Sequence, residues 1–181
     1  MKTEGGGQSP TATMTDEAFP LVDESGNVIG SALRSEVHGN PALLHPVVHC
    51  LVTDREGRLL LQLRSKAKDI QPGKWDTSVG GHVGLGESIE TAVHREIGEE
   101  IGLDAASAPI RFLYRYVMRN DVESELVHTY ACQSEGPFVR QESEVDELRF
   151  WTRAEIEAAI GTALFTPNFE DEYERFCRVI R

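Results

Sequence analysis

The sequence predicts an α/β or α+β domain whose sheet is partly antiparallel, and three observations lead there. Short apolar runs recur along the chain, several of them joined by turn-rich tetrapeptides such as ESGN and DREG. One long segment, SIETAVHREIGEEIG, switches to a helical period. Two further helical segments, RAEIEAAI and FEDEYERFCRVIR, close the chain.

Taken in order, the first stretch, MKTEGGGQSPTATMTDEA, is small, polar and Gly-rich. It cannot bury enough apolar area to offset the entropy of ordering, which predicts a disordered leader over 1–18 and a single domain over 19–181. FPLVDESGNVIGSALR reads as a hairpin turning at ESGN. HPVVHCLVT, DREG and RLLLQLR read as a second, more buried hairpin, with Asp54 and Gly57 carrying the turn. In the long helix Ile89, Val93, Ile97 and Ile101 form one apolar stripe, Ser88 is the N-cap and Gly102 the left-handed terminator. IRFLYRYVM, ELVHTYACQ and LRFWT return to strands.

Composition limits the function classes. A chain of 181 residues, 40% of them hydrophobic, suits one domain of ordinary size. Its net charge of -12, with no strong basic patch, opposes nucleic acid and anionic lipid as partners. Cys50, Cys132 and Cys177 lack paired spacing and read as buried reduced thiols, which points to a cytoplasmic location. No apolar run approaches the roughly 18 residues of a membrane span. Oligomeric state leaves no mark in the sequence.

The chemistry concentrates on the long helix. Glu96, Glu99 and Glu100 stand at i, i+3 and i+4, so their carboxylates share a face and repel unless a cation sits among them. Alone, this run reads equally as a solvated acidic face. The spacing around it is more specific: Gly81, five residues, Glu87, seven residues, then Arg95-Glu96-Ile97-Gly98-Glu99-Glu100-Ile101-Gly102-Leu103.

This run resembles the Nudix box at every fixed position, and the chain here resembles a Nudix hydrolase. The resemblance implies an α/β/α sandwich with a mixed parallel and antiparallel sheet, and cleavage of a small-molecule substrate at a diphosphate linkage. It implies that Glu96, Glu99 and Glu100 hold Mg²⁺ or Mn²⁺, with Glu96 and Glu100 the direct pair. Gly81 would allow a close approach that a side chain hinders, and Arg95 would anchor the preceding loop through Glu87.

A second resemblance covers much of residues 20–170, to the type I isopentenyl-diphosphate isomerases, which share the Nudix fold. The positions matching that family's three-histidine, two-glutamate metal site are His38, His45, His82, Glu123 and Glu125. All five are present, and such a set suits Mn²⁺, Fe²⁺ or Zn²⁺ at a second site. Each of these histidines alone reads first as a hydrogen-bonded loop or strand residue; the matched set of five favours the metal site. Arg64 and Lys68 match positions that grip the substrate diphosphate, where the plain alternative is solvated surface charge. His49, His94 and His128 match nothing and read as structural.

The departures decide between the two activities. Isomerisation needs an acid and a base on opposite faces of an alkene, and the isomerase cysteine that supplies one falls on Gly80, which has no proton to move. The isomerases also carry basic or neutral residues where this chain has Glu96 and Glu99, and their shielding aromatic falls near Asn168. The reading is therefore metal-dependent hydrolysis, with Glu99, Glu100 or the loop residue Glu144 activating water. An isomerase with a relocated acid and a non-catalytic ligand sensor are the alternatives; the intact box speaks against the sensor. Trp75, Tyr114, Tyr116 and Phe138 read as core aromatics before they read as a base-stacking platform.

Overall fold

In a computed structural model that describes residues 16–68, 70–104 and 108–180, the chain opens with an antiparallel hairpin of β1 (Ala18–Val22) and β2 (Val28–Leu33). It turns at ESGN: Asn27 N–H donates to the Asp23 carboxylate at 2.9 Å, and Gly26 takes a φ of +89° that a side chain would resist. Residues 1–15 of the expected leader lie outside the described residues. Ala18 belongs to β1, and Arg34 N–H donates to the Glu17 carbonyl at 2.7 Å, so the folded domain starts slightly ahead of residue 19. A single helical turn, α1 (Arg34–Val37), follows without any signal that the sequence made legible, and it ends on His38.

The expected second hairpin is only half present. Its turn forms, with Gly57 at φ +76° and Arg58 N–H donating to Asp54 at 2.8 Å. The strands it joins, β3 (Leu44–Thr53) and β4 (Leu59–Arg64), pair only at Thr53 and Leu59 and then part. β3 lies instead between β8 (Ser124–Gln133), parallel along its whole length, and β6 (Val79–His82), antiparallel. β4 lies between β5 (Trp75–Asp76) and β9 (Val145–Trp151), both antiparallel. The reason is burial: β3 is apolar towards both faces, and such a strand fits the centre of a sheet better than a local ribbon. β7 (Arg111–Arg119) pairs antiparallel with β8 and completes a mixed sheet.

Helices cover both faces of that sheet. α2 (Ile89–Ile101) sets Val93, Ile97 and Ile101 on Val48, Cys50 and Val52 of β3. On the other face α3 (Arg153–Ala159) and α4 (Pro167–Val179) set Ile156, Phe169, Tyr173 and Phe176 on Leu51, Leu59, Leu61 and Trp75. The result is the expected α/β/α sandwich. The caps of α2 are those the sequence predicts: Ser88 Oγ accepts from Thr91 N–H, and Gly102 is left-handed at φ +64°. Cys50 and Cys132 are buried free thiols, whereas Cys177 is only half-buried.

Where β3 and β4 part, the acidic edge of α2 meets β4 and β6. Gln62 of β4 and Gly80 of β6 bond to the same Glu100 carboxylate oxygen, at 3.1 and 3.0 Å.

Candidate functional site

Arg95 organises the first part of the site. It holds Glu87 through two bonds of 2.9 Å, Glu96 at 2.7 Å, Glu99 at 3.1 Å and the His82 carbonyl at 3.0 Å. One guanidinium thus ties the loop before α2, the acidic face of α2 and the end of β6 into a single unit. Glu96 and Glu100 are buried against the sheet, while Glu99 stands half in solvent with a side-chain exposure of 52%. Two of the three acids therefore face inward, and Arg95 links the third to them. A Cβ at Gly81 would overlap the Glu96 carboxylate, which is the close approach expected of that glycine.

Burial decides the electrostatics here. It raises the Glu96 carboxyl above its usual range against the pull of Arg95. Burial also pushes Glu100 up to about 7, against the Gly80 N–H that favours its charged form. Among the described residues Glu100 has no ion-pair partner. A buried acid of this kind is stabilised by a cation that binds beside it.

The second set also converges. Ligand atoms of His45, His82 and Glu125 lie within 4.8 Å of one another, and His38 Nε2 is 3.3 Å from His82 Nε2. His45 Nε2 is buried and has no hydrogen-bond partner, the state of an imidazole nitrogen left for a metal. Burial pushes His45 down to about 4 and His82 below its usual range, so both are neutral donors at pH 7. Burial, then the neighbouring Glu123, pushes Glu125 up to about 8. Glu123 is buried as well, though it precedes β8 rather than sharing the strand with Glu125.

The two expected diphosphate cations are present but already engaged. Arg64 donates to Asp76 at 3.2 Å and to the Ile70 carbonyl at 3.0 Å. Lys68 is ion-paired with Glu144, the loop acid considered as a base. Burial, then Arg64, lowers the Lys68 ammonium below its usual range.

Sequence reading missed several residues that the fold brings here. Arg34, on α1, acts electrostatically on His45, His82, Lys68 and Glu123. Asp76 and Gln62 supply second partners to Arg64 and Glu100. His49 Nδ1 bonds the Glu172 carboxylate of α4 at 2.7 Å, and Thr129 Oγ1 donates to the same carboxylate at 2.6 Å. Glu172 carried one signal: it falls on the apolar stripe of α4 with Phe169, Tyr173 and Phe176. Trp75 is core, as expected, edge-on to Trp151.

A mixed sheet between helices, with an arginine-locked acidic helix at its opening, defines a protein of the Nudix class. The chain belongs to the NUDIX domain family, whose pattern matches residues 43–169. It is 33% identical to isopentenyl-diphosphate Delta-isomerase 2 of Photorhabdus laumondii over 150 residues, 82% of this chain and 84% of that one. It is 32% identical to an uncharacterized Nudix hydrolase of Yersinia pestis over 161 residues, covering 89% and 85%. The crystal structure of a Deinococcus radiodurans protein superposes with a TM-score of 0.77 at 24% identity, covering 91% of this chain and all of that one, a likeness of fold. Among the described residues no helix is long and apolar enough to cross a membrane.

Proposed function

We propose that this chain is a divalent-metal-dependent hydrolase that cleaves the diphosphate linkage of a nucleoside-diphosphate-like or other organic diphosphate, in the cytoplasm and without nucleic acid or membrane as partner. One observation carries the reading: buried Glu96 and Glu100, with Glu99 tied in by Arg95, stand beside a glycine pair that offers no side-chain acid.

Glu96, Glu99 and Glu100 would hold Mg²⁺ or Mn²⁺, and His38, His45, His82, Glu123 and Glu125 would hold Mn²⁺, Fe²⁺ or Zn²⁺. When bound, such an ion neutralises diphosphate oxygens and acidifies water. The chain's own groups do the rest. Arg64 and Lys68 bind the diphosphate, each braced by a carboxylate, Asp76 or Glu144, that keeps it from collapsing elsewhere. Glu100, held by Gly80 N–H and Gln62 at the opening between the strands, is the group placed to take the proton of the attacking water. Water adds to phosphorus in line, the bond to the bridging oxygen breaks, and that oxygen leaves on the second phosphate. Glu99 and Glu144 are the alternative bases; Glu144 is held on Lys68, which leaves Glu100 as the first choice.

The test is a panel of nucleoside diphosphate derivatives, dinucleoside polyphosphates and prenyl diphosphates, each with Mg²⁺ and with Mn²⁺. Release of phosphate or monophosphate is expected, and Glu100→Gln should lower it by about 10²–10⁴-fold with the fold intact. An inactive panel favours a ligand sensor.

A second reading rests on the intact histidine and glutamate set and on isomerase relatives. Appreciable conversion of isopentenyl to dimethylallyl diphosphate, followed by NMR, would replace the hydrolase reading.

A further inference from the structure

His49 and Gly80 are paired across neighbouring strands, and the edge of the histidine ring packs close to the glycine. In the antiparallel register of β3 and β6 they are direct partners. A Cβ built on Gly80 would lie 3.1 Å from His49 Cδ2 and 3.3 Å from His49 Nε2, so the imidazole edge lies in tight contact with the position from which a side chain would start. The other edge of the ring is fixed: Nδ1 is bonded to Glu172, whose second oxygen is taken by Thr129. Glu172 is fully buried, and an unpaired carboxylate there would be costly, so the pair sets both the orientation and the charge of the ring. Burial opposes that charge, but Glu172, then Glu125 and Asp76, outweigh it and hold the imidazolium up to about 9.

With Nδ1 paired to the buried Glu172 carboxylate, Nε2 makes no hydrogen bond among the described residues. It faces a spot where several independent features meet. Gly80 N–H is bonded to Glu100 on one side. Thr77, whose methyl group is 3.5 Å from the same Cβ position, is buried with an unpartnered hydroxyl. Asp76, which holds Arg64, acts electrostatically on His49.

We propose that His49, oriented by Glu172, is a substrate-contacting residue whose Nε2–H donates to an oxygen of the bound diphosphate in the space over Gly80. The proposal rests on the diphosphate reading of the site but not on hydrolysis. It also gives a physical reason for the glycine: a larger side chain would crowd the His49 ring edge and the space its Nε2 faces.

Inorganic pyrophosphate, with and without Mg²⁺, is the probe. In ¹⁵N-histidine-labelled protein the His49 Nε2 resonance, assigned by its loss in His49→Gln, should shift as pyrophosphate saturates. His49→Gln should raise KM for the best diphosphate of the panel about ten- to a hundredfold, the loss expected of one charged hydrogen bond, with a smaller change in kcat. Gly80→Ala, whose methyl group the His49 ring meets at 3.1 Å and admits by a small shift, should raise KM in the same direction. Saturation by pyrophosphate that leaves Nε2 unmoved would overturn the proposal, as would a His49→Gln protein with a lowered midpoint and unchanged KM, the mark of a purely structural anchor. No pyrophosphate binding at all overturns it too. A shifted Nε2 in a protein that hydrolyses nothing would keep the proposal and sink only the hydrolase reading. Should His49→Gln fail to fold, the resonance is assigned by its loss in His49→Asn, and the titration and Gly80→Ala still decide.

Discussion

Gly81 and Arg95 show how much of the site rests on single residues. The Glu96 carboxylate occupies the volume that a side chain at Gly81 would take. Gly81→Ala should therefore displace that carboxylate and lower diphosphate hydrolysis about a hundredfold, since a misplacement near 1 Å is enough; steady-state rates under saturating Mg²⁺ check this. Arg95 acts on stability as well as on position. Arg95→Met leaves Glu87 and buried Glu96 without their partner and should cost about 2 kcal/mol, read from urea midpoints. The Glu87–Arg95 bond was legible, because eight residues bring a loop back onto its own helix. The His49–Glu172 bond was not: its partners are 123 positions apart, and nothing local couples them.

At the scale of elements, α2 is the most legible part of the chain. Its stripe, N-cap and C-cap are all set by residues within a few turns of one another. Gly98 is its one local weakness. It is exposed, and a Cβ there meets nothing within 4 Å. Gly98→Ala should raise stability by about 0.5–1 kcal/mol with activity unchanged, and Ser88→Ala should lower it by about 1 kcal/mol, both measurable by thermal or denaturant unfolding. β3 and β4 show the opposite case. Their turn residues correctly announced a reversal, but strand partners are chosen by the whole sheet. The parallel pairing of β3 with β8 joins Leu44 to Ser124 and has no local signal. The two-residue β5 and the glycine-rich β6 were equally invisible, because neither carries an apolar alternation of its own.

For the whole molecule, the acids and histidines of the two clusters couple stability to pH and metal. In the metal-free fold Glu100 and Glu125 are held up to about 7 and about 8, from an ordinary value of 4.5, and His49 to about 9 from 6.5. In each case the folded state keeps a proton that the unfolded chain has lost, so stability falls as pH rises between the two values. His45, pushed down to about 4, has the opposite effect, but only below about pH 6.5. Above that, Glu100, Glu125 and His49 share one sign. The thermal midpoint of the EDTA-treated protein should fall between pH 6.5 and 8.5, and Mn²⁺ should raise it and flatten the slope by taking the place of the protons on the carboxyls. A flat metal-free profile in circular-dichroism melts would contradict this electrostatic account.

What the sequence determined by itself was whatever depends on short range: the capped amphipathic helix, the box spacing that places acids on one turn, and the turn residues of two reversals. The spacing also put forward the histidines and glutamates of the second cluster, though only as candidates. The tertiary structure alone decided which strands pair, that Glu99 stays at the surface while Glu96 and Glu100 go inward, and that Arg64 and Lys68 arrive with carboxylates attached. It also decided that His49 from the neighbouring strand packs against Gly80, paired with a glutamate from the last helix. The physical reason is common to all of these: burial and charge pairing are settled between segments distant in sequence, where local periodicity carries no information.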